Sequence, residues 1–194
     1  MNILVVFAHP SPKSFNRSLL ETVREEAGAK GHECRVRDLY ALGFRPALTD
    51  EDMEAFNHNN VPADIKAEQE AVTWADVVVF MHPIWWFGVP AIFKGWIDRV
   101  FAYGFAYGHD SRGVKPLLAG KKAVVVNTAG GAEVTGYDDT GYKQAIIKLT
   151  DIGIYNFVGL EVILRRMFFQ IPIASDEERR VMQERLRLDL RKIL

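Results

Sequence analysis

Short apolar runs alternate with amphipathic segments along the chain. The apolar runs have the length and β-branched content of strands buried on both faces, and they occupy residues 2–8, 34–39, 76–81, 121–127 and 158–164. Apolar residues recur at helical spacing over residues 14–30, 63–74, 90–101, 142–150 and 175–194. Residues 40–60 follow neither period and predict an irregular connection, which is longer than most and therefore more often functional.

Residues at the ends of these segments support the assignments. Ser14 stands where a helix N-cap is expected, and Ser175 and Glu178 have the spacing of a capping box. Pro90 suits the first residue of a helix, because its missing N–H costs nothing there. Strands that alternate with helices indicate a parallel sheet covered on both faces. We therefore predict a single flavodoxin-like, doubly wound α/β domain over residues 1–194, with five strands in the order 2-1-3-4-5.

Composition and charge exclude several classes of protein. Hydrophobic residues make up 48% and charged residues 25%, as in a globular domain, and the formal charge of −1 leaves no excess of positive charge for a nucleic acid. The single cysteine, Cys34, forms no internal disulfide, which together with the absence of a secretory signal favours a cytoplasmic location. The most apolar stretch, residues 83–97, is interrupted by Pro90 and Lys94 and is too short for a membrane span, so we expect no membrane insertion.

Sequence motifs exclude several common chemistries. The chain contains neither the glycine-rich loop that binds nucleoside triphosphates nor the G-x-G-x-x-G turn that binds dinucleotides. It also lacks the G-x-S-x-G elbow of hydrolases and the H-E-x-x-H helix of metalloproteases, and its histidines include no pair at i, i+4. We therefore predict no metal site.

The remaining chemistry lies in three loops that follow the first, third and fourth predicted strands. In a doubly wound sheet, ligands bind beyond the carboxyl ends of the strands where the strand order reverses. The first loop, residues 9–16, precedes a helix N-terminus and adds the donors of Ser14 and Asn16 to positive charge expected from His9 and Lys13, which suits a phosphate. In the alternative interpretation, Ser14 is only a helix cap and His9 only a hydrogen-bonded residue at the strand end.

The second and third loops suit a flat ligand. Trp85, Trp86 and Phe87 are consecutive, so their rings cannot all enter one core, and an exposed ring offers a stacking surface. Alternatively, these rings cover the helix that follows. Gly130 and Gly131 let backbone N–H groups approach a ligand closely. A phosphate site, an aromatic surface and an amide-rich turn at one edge of the sheet together indicate a phosphorylated planar cofactor such as FMN or FAD.

Four segments of the chain resemble those of a known family. They are AHP with SFN (8–10 and 14–16), DLYALGFRPALTDEDM (38–53), HPIWWFGVPAIFKGWIDRVFAYGFAY (82–107) and TAGG (128–131). In this order they resemble the flavodoxin-like NAD(P)H:quinone oxidoreductases, also called DT-diaphorases, and in particular the shorter, bacterial-type members. The resemblance implies an enzyme, a flavin-dependent NAD(P)H dehydrogenase (quinone), that uses FAD, with FMN as the alternative, and takes NADH or NADPH as co-substrate.

The resemblance also assigns roles to individual residues. Those that it assigns to the flavin lie in the three loops and are His9, Ser14, Phe15, Asn16, Pro83, Ile84, Trp85, Trp86, Phe87, Thr128, Ala129, Gly130 and Gly131. The first four hold the phosphate and ribityl region, the next five flank the isoalloxazine ring, and the last four contact its pyrimidine side. Family members are homodimers with active sites at the interface, so Tyr107 and His109 are expected to be substrate-binding residues in the pocket of the partner subunit.

The family mechanism is a two-electron ping-pong reaction. Hydride passes from NAD(P)H to flavin N5 and then to a quinone or another flat acceptor, while the protein orients the ring and stabilises charge near N1 and O2. The chain departs from the family after the double glycine, where a tyrosine and a histidine assist this step in relatives. Here Tyr137 falls one residue later than expected, and no histidine follows His109. We take Tyr137 as the catalytic candidate, with Tyr142 as an alternative; Lys143 lies near the place of the missing histidine.

Other functions of the same fold stay open at this point. A flavin-binding regulatory subunit of a potassium-efflux system has the same cofactor site, and so does a nitroreductase or azoreductase. A flavodoxin that carries single electrons is a third alternative, although such carriers are usually strongly acidic and this chain is nearly neutral.

Overall fold

The computed structural model describes residues 1–58 and 60–194, and its main sheet is parallel. In chain order the strands are β1 (Asn2–Phe7), β2 (Glu33–Asp38), β3 (Val77–Pro83), β4 (Tyr107–Asp110), β5 (Gly113–Pro116), β6 (Lys122–Thr128) and β7 (Glu161–Phe168). The sheet has the order β2-β1-β3-β6-β7 with parallel pairing throughout, which confirms the predicted fold and strand order. β4 and β5 form a separate antiparallel hairpin that the hydrophobic pattern does not predict.

Helices cover both faces of this sheet. They are α1 (Phe15–Ala29), α2 (Asp50–Asn57), α3 (Ala63–Trp74), α4 (Ala91–Val100), α5 (Tyr142–Ile147) and α6 (Asp176–Ile193), and π-helical segments span Val134–Asp138 and Lys148–Asn156. α1 and α6 share one face of the sheet, and α3 and α4 share the other. In the part of the chain that the structure describes, no helix combines the length and the apolar character needed to cross a membrane.

The central strands are buried on both sides, which explains their continuous apolar runs. Ile3 and Val5 in β1 pack against α1 and α6, whereas Leu4 and Val6 pack against the side chains of α3 and α4. All four are fully buried. Because successive side chains of a strand point to opposite faces, a sheet with helices on both sides needs an apolar residue at every position.

The sequence prediction was wrong in several places. α2 lies in the stretch predicted to be irregular, and a capping box starts it: the Asp52 N–H donates to Thr49 Oγ1 and the Thr49 N–H donates to the Asp52 carboxylate, both at 3.2 Å. β7 begins at Glu161, three residues after the predicted start, and continues to Phe168. α4 begins at Ala91, one residue after Pro90.

Candidate functional site

The three predicted loops meet at the carboxyl ends of β1, β3 and β6. The Ile84 N–H donates to the Thr128 carbonyl at 2.7 Å, which joins the second loop to the third. Asn16 Nδ2 donates to Thr128 Oγ1, also at 2.7 Å, which joins the first loop to the third. Asn16 and Thr128 are both buried. Thr128 therefore fixes the relative positions of all three loops.

Trp86 and Phe87 form the tip of a strained two-residue hairpin. The flanking residues Trp85 and Gly88 exchange two backbone hydrogen bonds of 3.0 and 3.1 Å. Trp86 and Phe87 have φ angles of 50° and 58°, in the left-handed region that large side chains rarely adopt. This geometry favours Asn-Gly, and each L-residue in the left-handed conformation costs roughly 1–2 kcal/mol. Such stored strain is typical of functional sites.

The side chains of this hairpin are open to solvent. Trp86 is 96% exposed, and Trp85 and Phe87 are each 42% exposed. The alternative in which all three rings cover α4 is therefore wrong for Trp86. The N–H groups of Trp86 and Phe87 donate to no other group within residues 1–58 and 60–194, so both can donate to a ligand.

A cavity of about 540 Å³ lies between this hairpin and the double glycine. Its lining consists of Ile84, Trp85, Trp86, Phe87, Gly130, Gly131 and Tyr137. Six of them belong to the second and third loops, Tyr137 belongs to the π-helical segment Val134–Asp138, and every one was named from the sequence. The cavity is wide, open to solvent and mostly apolar, which suits a flat ring system.

The second glycine makes room for a side chain of the protein itself. A Cβ atom on Gly131 would lie 3.0 Å from Cε2 of Tyr137, whereas one on Gly130 would make an ordinary 3.6 Å contact with Pro172. The Tyr137 ring, 5% exposed, also lies 5.5 Å from the ring of Phe87 and 5.0 Å from that of Phe169. We expected both glycines to serve the approach of a ligand. Gly131 instead lets Tyr137 lie directly against the third loop.

The first loop is less positively charged than the sequence suggested. Burial lowers the pKa of His9 below its ordinary value, so its imidazole is neutral near pH 7. His9 Nδ1 lies 3.0 Å from the Ser11 N–H and 3.3 Å from the Ser11 carbonyl oxygen, so the loop backbone fixes the position of the ring. The expectation of positive charge from His9 was therefore wrong. The His9 ring centroid lies 6.1 Å from that of Trp85, at the edge of the cavity.

The helix that follows this loop begins as predicted. Ser14 is the N-cap of α1, since its Oγ accepts the Arg17 N–H at 3.2 Å. The Phe15 ring packs edge-on against Phe168 at 6.3 Å. The Oδ1 atom of Asn16 is buried without a partner among the described residues, so the amide has one acceptor left over.

Two arginines next to this loop were missed in the sequence. Arg179 and Arg180 line a cavity of about 300 Å³ together with Lys13, Ser14 and Ser18. Arg179 donates to the Ile171 carbonyl at 3.1 Å, and its Nε is buried without a partner among the described residues. The sequence offers one signal for these arginines. They directly follow the capping box of α6, and β7, the strand before α6, ends at the same edge of the sheet as the three loops.

A buried polar network holds together the strand ends that carry the second and third loops. Arg165 donates to Asn127 Oδ1 and Thr150 Oγ1, both at 2.6 Å, and forms a two-point ion pair with Asp151. Asn127 Nδ2 donates to the His82 carbonyl at 3.1 Å. Burial lowers the pKa of His82 to about 4, so this ring is neutral. The network joins the ends of β3 and β6 to the π-helical segment Lys148–Asn156.

Tyr107 and His109 lie away from this cavity within the chain. Both are on the β4–β5 hairpin, where Tyr107 packs against Phe157 at 5.4 Å between ring centroids and His109 lies 5.8 Å from Tyr103. Tyr107 lines a separate groove with Phe101 and Phe157. Among the described residues, no group of three His, Cys, Asp or Glu side chains has an arrangement that could hold a metal ion.

Comparisons with known proteins agree with this architecture. Residues 1–190 match the family described as having a flavodoxin-like fold. The chain is 33% identical over 185 residues to an uncharacterized NAD(P)H oxidoreductase of Haemophilus influenzae, covering 95% of this chain and 91% of that protein. It is 37% identical over 201 residues to human ribosyldihydronicotinamide dehydrogenase (quinone), covering 93% and 86%.

A solved structure extends the likeness to three dimensions. It is the NAD(P)H:quinone oxidoreductase of Methanothermobacter marburgensis, which superimposes with a TM-score of 0.87 at 31% identity. The superposition covers 100% of this chain and 96% of the other. The similarity therefore extends over the whole sheet and its loops.

Proposed function

This chain belongs to the flavodoxin-like family of NAD(P)H:quinone oxidoreductases, and we propose from that premise that it binds a flavin and carries two electrons from NAD(P)H to a quinone or a similar flat acceptor. The observation that carries the proposal is the strained hairpin of Trp86 and Phe87 facing Gly130, Gly131 and Tyr137 across a cavity of about 540 Å³. Strain of this kind persists where function requires it.

The residues around the cavity fit an isoalloxazine ring. Trp85 and Phe87 offer partly exposed aromatic surface, and the N–H groups of Trp86 and Phe87 are free to donate to the polar edge of a ring. The orphaned Oδ1 of buried Asn16 and the α1 N-terminus lie on the side where the ribityl chain and phosphate would bind.

The positive charge beside the first loop supports FAD over FMN. FMN needs one phosphate site, which the first loop and the α1 N-terminus supply. The adjoining cavity of about 300 Å³ is lined by Lys13, Arg179 and Arg180 together with Asp176, and Arg180 is also paired with Glu177 at 3.1 Å. The cations that line this cavity outnumber its carboxylate, which supports a second phosphate there. We therefore propose FAD as the cofactor.

A bound flavin would supply two-electron hydride chemistry, accepting hydride from a nicotinamide and passing it to the acceptor. The backbone N–H groups of Trp86, Phe87, Gly130 and Gly131 would hold the ring and stabilise negative charge near its pyrimidine edge, whereas the Ala129 N–H already donates to the Phe168 carbonyl at 2.7 Å. Burial raises the pKa of Tyr137, so its hydroxyl stays protonated and can donate a hydrogen bond. The cavity is open on one side, which supports the proposal that NAD(P)H and the acceptor bind there in turn, with ping-pong kinetics as the expected result.

A homodimer is part of the proposal. Tyr103, Leu149, Ile152 and Phe157 are between 42% and 69% exposed, and Tyr103 and Phe157 belong to one exposed surface because both pack on Tyr107. Dimerisation through it would cover these side chains and could bring Tyr107 and His109 to the cavity of the other subunit. Sedimentation velocity tests this: a monomer at micromolar concentration contradicts it.

The first experiment identifies the cofactor and the reaction. We expect the purified protein to show flavin absorbance, to release FAD by mass spectrometry and to reduce menadione with NADH or NADPH. Ribosyldihydronicotinamide belongs in the same assay because the human relative is named for it. Nitroaromatic and azo compounds test the breadth of acceptors. A protein that binds no flavin even when flavin is added contradicts the proposal.

The second experiment concerns Tyr137. We expect Tyr137→Phe to slow flavin reduction about tenfold in stopped-flow measurements, because one hydrogen-bond donor is lost near the developing charge. Tyr142→Phe is the matched control, since Tyr142 stacks on Phe87 at 4.0 Å and does not line the cavity. An unchanged rate in Tyr137→Phe removes this hydroxyl from the mechanism.

A further inference from the structure

Lys143 is held by two carboxylates. Its Nζ lies 2.6 Å from Glu133 Oε1 and 3.2 Å from Asp138 Oδ1. Its side chain is 26% exposed, whereas those of Glu133 and Asp138 are 49% and 41% exposed. The ammonium also lies 5.7 Å from the centre of the Phe169 ring, within the range of a cation–π contact.

These two carboxylates bracket the segment that carries Tyr137. Glu133 is the N-cap of the π-helical segment Val134–Asp138, and Asp138 is its last residue. A π-helical turn is rare and easily disturbed, and it occurs most often at functional sites. A single side chain that binds both ends of such a turn fixes its shape.

Tyr137 depends on that shape for its contacts. Its ring packs on those of Phe87 and Phe169 and lies so close to Gly131 that a Cβ atom there would be 3.0 Å from Cε2. Phe169 is the ring that the Lys143 ammonium also faces. Lys143 and Tyr137 thus pack around one aromatic side chain from different elements.

We infer that Lys143 is a positioning residue, which closes the 134–138 turn and so holds the Tyr137 ring against the cavity. The inference rests on the proposed function of Tyr137. Lys143 does not line the cavity itself, and its ammonium is directed to Glu133 and Asp138. Lys143 therefore lies near the sequence position at which relatives have a histidine, but we assign it no role in donating a proton.

The test uses separate variants to distinguish three roles of Lys143: its positive charge, a proton that it could transfer, and the position in which it holds the turn. Lys143→Met removes both ion pairs by removing the cation. The double variant Glu133→Gln with Asp138→Asn removes the same ion pairs by neutralising the two carboxylates. Lys143→Arg keeps the charge and the donors but cannot release a proton. Lys148→Met, an exposed lysine five residues away, is the matched control.

Two readouts are needed. We expect Lys143→Met and the double variant to slow flavin reduction by a similar factor of about 3 to 10, since two partly exposed ion pairs are lost. Both should also raise amide hydrogen exchange over residues 133–138 in the holoprotein. Lys143→Arg and Lys148→Met should stay within twofold of the original rate and keep the original exchange. Flavin content and thermal unfolding show whether each variant is folded.

The outcomes separate this inference from the proposed function. If Lys143→Arg is as slow as Lys143→Met while the double variant keeps its rate, Lys143 transfers a proton and the inference is overturned. Unchanged hydrogen exchange in Lys143→Met overturns it as well. If exchange rises as expected but the protein reduces no acceptor, the turn is held as described and the proposed activity has failed.

Discussion

Two segments leave the carboxyl edge of the sheet, and they are built in opposite ways. Residues 40–58, between β2 and α3, are fixed by a buried charge. Arg99 of α4 is 3% exposed, donates to both carboxylate oxygens of Asp52 at 2.8 and 2.9 Å and to Asp64 at 2.8 Å, and also binds the Arg45 carbonyl at 3.0 Å. Pro46 packs so closely on Gly95 that a Cβ there would lie 2.0 Å from the Pro46 carbonyl oxygen.

The hairpin at residues 84–88, between β3 and α4, has none of this support. Its tip residues, Trp86 and Phe87, are in the left-handed region, and the Trp86 side chain is almost fully exposed. We predicted a functional loop in both segments, in the first because of its length and in the second because of its aromatic residues. The Arg99 contacts give residues 40–58 a structural explanation, so the length of this segment does not by itself mark a functional loop. Strain together with exposure is the better mark of a site.

The largest effect is expected in the fixed segment. Arg99→Met leaves the buried Asp52 carboxylate without its partner and should lower the free energy of unfolding by about 3–5 kcal/mol in urea denaturation. Arg45→Met is the control: Arg45 is 81% exposed and 3.7 Å from Asp64, so its loss should cost less than about 1 kcal/mol. A loss of turnover per folded Arg99→Met molecule would contradict the purely structural role of this segment.

An intermediate effect is expected at the double glycine. In Gly131→Ala, the new methyl carbon would lie 3.0 Å from Cε2 of Tyr137 and displace the ring. We expect turnover to fall about tenfold with little change in stability, because a small displacement of the proposed catalytic group is costly. In Gly130→Ala, the new methyl group would contact Pro172 at an ordinary distance, so this variant should lose clearly less turnover. Equal losses would mean that both glycines serve the ligand directly, as the sequence suggested.

The smallest effect is expected from relaxing the hairpin. Trp86→Asn combined with Phe87→Gly installs the residues that this turn geometry favours and should raise the free energy of unfolding by about 1 kcal/mol. The same change removes aromatic surface from the cavity, so flavin affinity, measured by titration of the apoprotein, should fall. A variant that gains no stability would show that the hairpin stores no strain, and the contrast between the two segments would then disappear.

Much of the fold could be predicted from the sequence. β1, β3 and β6 read as continuous apolar runs because they are buried on both faces, and Ser14 and Ser175 mark the starts of α1 and α6 by their capping chemistry. α2 was missed because its eight residues are mostly polar, and only its capping box identifies it. The end of β7 was placed too early, at residue 164, because Arg165 and Arg166 interrupt its apolar pattern.

The site was predictable in its location and not in its geometry. The loops that carry Asn16, Trp85 and Gly131 follow from the strand order, since the carboxyl ends of neighbouring parallel strands meet. The left-handed conformation of Trp86 contradicts local propensity, so no sequence rule leads to it. The partners of Arg165 come from three distant segments, and only the folded chain brings them together.

The two outer strands of the sheet bear on how this protein behaves at high concentration. An open sheet ends in unpaired backbone groups that can recruit a strand from another molecule. β2 carries Arg35 and Arg37, and β7 carries Arg166, so each edge has partly exposed cations in ion pairs. Adding a further strand at either edge would bury these charges. Both outer strands of the open sheet thereby resist edge-to-edge aggregation.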